Sequence, residues 1–264
     1  QYPWCKTVTH TQDDPWDLRR HPAYSREFEY AVTCCRESVV EYRQLGIEAI
    51  VLYPPPAVSL HGIARPAPEE ACDLSLTILS NYARKGGDAA AYLASGDPVD
   101  RITHPIPFPE QRLLRPELIS TLKDLGRMHI YGGLGYGSFA DIPRSSFRGF
   151  RTYAELPSVY QAAKININHH NSPASHGYLN QRDTAITGSG GFMLTDYVEG
   201  IEEVFELGVE IDTWRTREEL LEKARWWLDR DEERARAGRQ AQERVLREYG
   251  NVAYARKLMD FVGA

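Results

Sequence analysis

LNQRDTAITGSGGFMLTDYVEGIEEVFELGVE, residues 179–210, decides how this chain is read. Its centre is a glycine turn, Gly188-Ser189-Gly190-Gly191, directly before the buried-strand pattern Phe192-Met193-Leu194. Thr195 and Asp196 end that strand, and the acidic run 199–206 reads as the next helix. Glycines beside a strand let a ligand approach backbone N–H groups, and a helix N-terminus adds partial positive charge. Such a site suits a diphosphate-bearing ligand. The same residues also make a tight turn that packs a helix on a sheet. Both readings stand at this point.

Outward from this stretch, strands alternate with helices. Residues 7–10, 30–33 and 50–53 read as strands, with a helix at 37–45. Pro54-Pro55-Pro56 stops the third strand because proline cannot continue a ladder. A second series follows, with strands at 72–79, 127–131 and 164–168 and helices at 116–125 and 158–163. Helices at 218–228, 231–248 and 254–262 close the chain, the last with Leu258, Phe261 and Val262 on its apolar side. This alternation predicts an α/β fold with a mainly parallel sheet covered on both faces. Ligands on such sheets sit outside the carboxyl ends of the strands. The loops to watch are therefore 81–87, 132–137, 169–177 and 196–200.

Bulk composition narrows the function classes. The chain has 264 residues, 42% hydrophobic and 26% charged, ordinary values for a globular protein. A net charge of −6 argues against binding nucleic acid by broad charge neutralisation. The apolar stretches fall well short of the roughly 20 residues that span a bilayer, and no signal-like segment opens the chain. The four cysteines, Cys5, Cys34, Cys35 and Cys72, have no Cys-x-x-Cys spacing. That spacing argues against a zinc or redox motif and for a reducing, cytoplasmic setting.

Several stretches, in this order, resemble one family. They are FEYAVTCCRESVVEYRQLG, ACDLSLTILSNY, MHIYGG, TYAELPSVYQAAKININHH, and GGFMLTDYVEGIEEVFELGVEIDTWRTREELLEKARWWL with QERVLREY. Together they resemble the GT-B glycosyltransferases of the spore-protein (CgeB-like) type, within the group-1 glycosyltransferases. The resemblance implies two Rossmann-like domains facing a cleft. The second holds a nucleotide-diphosphate sugar as substrate, with no cofactor and no metal ion, and the first holds an acceptor. It divides the chain into a partial first domain at 1–56, a linker at 57–70, a donor domain at 71–250 and a C-terminal helix at 251–264. The first domain is short for the family. A fragment, a natural short form, or a partner chain that completes the domain would each account for it.

By this resemblance Arg84 and Lys85 meet the leaving diphosphate and Arg182 matches a frequent arginine, with Asp183 as a nearby carboxylate; from the loops they occupy, Gly133, Asn171, His176 and the turn Gly188, Ser189, Gly190 and Gly191 are the further donor-binding candidates. His169 and His170 belong to the same polar loop, and their backbone alternation argues against a shared metal. His10, Asp13 and Asp14 are the acceptor-side catalytic candidates, with helix capping as the plain alternative for the aspartates. One departure stands out: Ala185 sits where the family often has a ribose-binding glutamate. A non-catalytic nucleotide-binding or scaffold subunit, and a sugar epimerase of the same fold, are the rival functions.

Overall fold

The computed structural model describes residues 5–12, 14, 18, 25–58, 65–78, 115–132, 142–170 and 175–263. Strands β1 (Val8–Thr11), β2 (Tyr30–Thr33) and β3 (Glu48–Val51) form one parallel sheet in the order β1-β2-β3. Helix α1 (Arg36–Gln44) carries the chain from β2 to β3. The second sheet contains β4 (Cys72–Ile78), β5 (Met128–Gly132), β6 (Phe147–Gly149), β7 (Ala163–Asn168), β8 (Met193–Asp196) and β9 (Asp212–Trp214). Its order is β6-β5-β4-β7-β8-β9, and every pairing is parallel. Around it run α2 (Arg115–Leu122), α3 (Leu156–Ala162), α4 (Gln181–Gly188), α5 (Arg217–Leu228) and α6 (Asp231–Tyr249). Helix α7 (Asn251–Val262) follows. The architecture is thus α/β with parallel Rossmann-like sheets, as the alternation of elements predicts.

Strand β7 shows why such a sheet must be covered on both sides. Ile165 and Ile167 enter one core with Leu74, Leu76, Leu118 and Leu194. The alternate Asn166 is also buried, but every polar atom of its amide is engaged. Its Oδ1 accepts from Ser75 Oγ at 2.6 Å, and its Nδ2 donates to the Tyr160 carbonyl at 2.9 Å. A buried amide without those partners would cost about 1–3 kcal/mol.

The second core joins the two sheets. Cys34, Cys35 and Tyr53 of the first lobe pack with Tyr160, Met193, Phe205 and Val245 of the second. Backbone bonds cross the same boundary, from Leu179 N to Cys34 O at 3.1 Å and from Glu37 N to His176 O at 3.3 Å. The second bond satisfies an N–H in the first turn of α1, which has no partner within the helix. Helix α7 then returns to the first sheet. Tyr30 meets Phe261 edge-on at 5.4 Å between centroids, and Lys6 Nζ donates to the Val262 carbonyl.

A separate charged cluster pins the start of β4. Glu70, 6% exposed, accepts from Tyr131 Oη at 2.8 Å, Arg148 Nε at 3.2 Å and Arg151 Nε at 3.2 Å. Burial alone raises a carboxyl pKa, but Arg151, Tyr131 and Arg148 outweigh it and hold Glu70 below the ordinary carboxylate range. The stability it contributes is therefore present above its unfolded pKa and is lost as pH falls through the folded value. Glu70→Gln is expected to cost about 2–4 kcal/mol at pH 7, by analogy with other broken buried pairs. Urea unfolding should show that difference from wild type shrinking below about pH 4; an unchanged difference at low pH would contradict the assignment.

The structure corrects the sequence reading in one place, the run 199–206, and adds to it in two. Residues 181–188 form helix α4, although its two threonines and its glycine are weak helix formers; a capping box nucleates it. The run 199–206 yields one 3₁₀ turn, Ile201–Glu203, between Gly200 at φ +90° and Gly208 at φ +77°. The three-residue edge strands β6 and β9 are too short to carry a periodic signal.

Candidate functional site

In the second sheet the strand order turns around between β4 and β7. The crevice for a ligand lies outside the carboxyl ends of those neighbouring strands. At the end of β7, Asn168 is a hub. Its Nδ2 donates to Asp183 Oδ1 at 2.9 Å, and its Oδ1 accepts from Arg182 Nε at 2.9 Å. Arg182 also donates from Nη2 to the His169 carbonyl at 2.8 Å. The guanidinium is thus fixed in orientation across the strand end. Burial, and then the charge of Arg115 at the start of α2, hold Arg182 below its ordinary pKa. The Arg182 guanidinium is the fixed cation at the strand ends, and the charge of Arg115 acts on it. Arg115 was missing from the sequence candidates; an arginine one residue before a helix-opening proline carries no motif.

The next residue along, His170, is fully buried between two carboxylates. Its Nδ1 lies 2.8 Å from Asp196 Oδ1, and its Nε2 lies 3.0 Å from Asp183 Oδ2. Its backbone N–H also donates to Asp196 Oδ1 at 2.9 Å. Burial pulls the imidazole down, yet Asp183 and Asp196 more than offset it and raise the pKa to about 9. At neutral pH the ring is therefore an imidazolium that ties the ends of β7 and β8 to the first turn of α4. Asp183 completes this tie, because its Oδ2 accepts from Asn180 N at 2.7 Å and closes the capping box.

The sequence candidates fall into separate places. Arg182 and Asp183 meet at the strand ends; Asp183 is fully buried and spent on His170, Asn168 and the cap. His176 stands apart on the surface, within 3.7 Å of Glu199 and 3.8 Å of Glu203, while its carbonyl meets α1. Asp13, Arg84, Lys85, Gly133 and Asn171 lie outside the described residues. On the first sheet, His10 stacks beside Tyr254 at 5.9 Å between ring centroids. Asp14 is buried and accepts from Thr11 Oγ1 and, at 3.2 Å, from Leu18 N, so it serves as a cap. Neither contact reaches the His170 cluster.

The glycine turn sits elsewhere again. Helix α4 runs back along the sheet, so the turn after it opens β8 at the edge opposite the crevice. A methyl group on Gly191 would lie 2.6 Å from the Tyr160 carbonyl oxygen, and one on Gly188 would lie 2.5 Å from the Pro56 side chain. Gln242 of α6 donates to the Gly188 carbonyl at 3.1 Å. Of the two readings of this turn, helix-on-sheet packing is the one these contacts support. Close packing of backbone on backbone requires glycine as strictly as a phosphate does, so sequence could not separate them.

Comparison with known proteins follows the same lines. A family profile described as glycosyl transferase-like matches residues 112–260. No curated protein matches the sequence significantly. Among solved structures, Anabaena Alr3699/HepE in complex with UDP and glucose superimposes with a TM-score of 0.59 at 14% identity, over 97% of this chain and 71% of that one. A TarM variant from S. aureus, in complex with Fondaparinux, alpha-GlcNAc-glycerol and UDP, gives 0.61 at 10% identity, over 98% of this chain and 51% of that one. The chain thus spans about half of the TarM length. Sucrose-phosphate synthase from Thermosynechococcus elongatus gives 0.52 at 13% identity, over 95% and 62% respectively. At these identities the likeness is one of fold.

Proposed function

Because the chain belongs to the glycosyl transferase-like family, we propose that it moves a sugar from a nucleotide-diphosphate donor to an acceptor. The observation that carries this reading is Arg182 at the switch point of the second sheet, its guanidinium aimed by Asn168 and His169. Cleaving a sugar–diphosphate bond leaves charge on the departing phosphate, and fixed guanidinium groups stabilise it without a metal ion. Arg84 and Lys85 belong to the same donor site by family resemblance, Gly133 and Asn171 by the loops they occupy after their strands, and His176 to its rim. His10 and Asp13 belong to the acceptor side, while Asp14 is held as a cap by Thr11 and Leu18. UDP is the first nucleotide to try, since it is bound in two of the structural neighbours. The spore-protein (CgeB-like) type is the subgroup proposed, in a reducing, cytoplasmic setting that suits four free cysteines.

The test is calorimetric titration of the chain with UDP, GDP and TDP, paired with hydrolysis of the matching nucleotide sugars. Arg182→Gln is expected to weaken nucleotide binding at least about tenfold, the loss of one charge-assisted contact. Failure of all three nucleotides to bind, with no turnover, would overturn the reading.

One observation favours a second reading. Ala185, where a ribose-binding glutamate is often found in the family, is 4% exposed inside α4. Nucleotide binding without turnover of any donor would identify a non-catalytic subunit. Conversion of a nucleotide sugar without an acceptor would identify an epimerase.

A further inference from the structure

A cavity of about 450 Å³ lies along the outer edge of β3, between the first lobe and the two C-terminal helices. That volume falls within the range of small-molecule sites, roughly 300–1,000 Å³. One wall is the strand edge itself. Leu52 N donates to Thr33 O at 3.0 Å, toward β2, so Val51 turns its N–H and C=O to the open side. Val39 and Ile50 add apolar surface. The facing wall holds the rings of Tyr249 and Tyr254.

The charge around the cavity is unbalanced. Arg36, Arg43 and Lys257 line it, against one carboxylate, Glu248; Arg36 is paired with Glu203 at 3.0 Å, which leaves Arg43 and Lys257 as the cations that face the cavity. Glu248 is already engaged by Arg247 at 2.7 Å and by Arg244 at 3.9 Å, neither of which lines the cavity. Arg43 is directed inward by its bond to the Ala49 carbonyl at 3.4 Å. Lys257 is placed 5.0 Å from the Tyr249 ring centroid and donates to the Glu248 carbonyl at 2.9 Å. Residues of α6 and α7 line the side of the cavity that faces the strand edge. None of the lining residues belongs to the Arg182 site.

We propose that this cavity binds a small ring-bearing organic phosphate. The ring lies against Tyr249 and Tyr254, and the phosphate lies between Arg43 and Lys257. Because the walls come from β3 and α1 on one side and from α6 and α7 on the other, such a ligand clamps the first lobe to the C-terminal helices. The proposal stands independently of the transferase reading.

Phenyl phosphate is the probe, titrated calorimetrically into the whole chain. Saturable one-to-one binding is expected, weakened at least about tenfold by Arg43→Gln and by Lys257→Gln, each of which removes a charge-assisted contact. Both side chains are exposed, so these variants fold. Arg182→Gln should leave phenyl phosphate affinity unchanged. The proposal is overturned by an absence of saturable binding, by wild-type affinity in the Arg43 and Lys257 variants, or by an equal loss of affinity in Arg182→Gln. It is also overturned if inorganic phosphate binds as tightly, since the ring then contributes nothing.

Discussion

Replacing His170 by leucine is expected to destabilise the chain by about 3–5 kcal/mol, the cost of removing one partner from a buried ionic cluster. The substitution leaves Asp183 and Asp196 buried with no cation between them, and nothing else moves in to compensate at that depth. Urea unfolding at pH 7 measures the loss. A pH series supplies a second, independent reading. The imidazole is raised from 6.5 in the open chain to about 9 in the fold. A raised basic group contributes stability that is full below the unfolded value and is lost as pH rises through the folded value. Wild-type stability should therefore decline from pH 6.5 and level off above pH 9, by an amount on the order of 3 kcal/mol. His170→Leu should lack that decline. A wild-type curve that stays flat across the window would show that the ring is neutral and the clamp is a set of ordinary hydrogen bonds.

Gly238→Ala is expected to reverse the usual sign of a helix substitution. In an exposed helix interior, alanine is better than glycine by about 1 kcal/mol. Gly238 lies inside α6, but its position faces the glycine turn before β8. An added methyl would stand 2.6 Å from the Gly190 carbonyl oxygen, a backbone atom that cannot rotate away. Helix α6 must then lift from α4 and β8, at a cost of about 1–3 kcal/mol as for other overpacked sites. The urea midpoint should fall. A midpoint that rises would mean that α6 and the turn are not in contact.

The parallel α/β class was legible because β-branched and leucine-rich runs of strand length alternate with amphipathic helices. Its details were legible where a residue leaves one option. Pro54-Pro55-Pro56 ends a strand, and Ile165 with Ile167 marks a core face. Helix α4 was hidden because its stability comes from Asn180 and Asp183 acting on backbone N–H groups, not from the propensities of TAITG. The site was legible in part. Arg182 was visible through family resemblance. The roles of Asp183 and His170 were not, since a buried clamp and an exposed polar loop use the same residue types. What separates them is burial, which depends on α4 folding across the strand ends. Arg115 becomes informative only in the fold, where its charge acts on Arg182.

The contact between Lys6 and Val262 has a consequence for the order in which the molecule is made. The two residues are 256 positions apart, and Tyr30 and Phe261 are nearly as distant. Contacts of such long sequence separation form late and slow folding, because a large loop must close before they bring any gain. On the ribosome, the first three strands emerge long before the helix that covers them. Their exposed face must wait through the synthesis of the entire second sheet, and a nascent chain arrested before residue 250 should be far more open to protease in its first lobe than the released one.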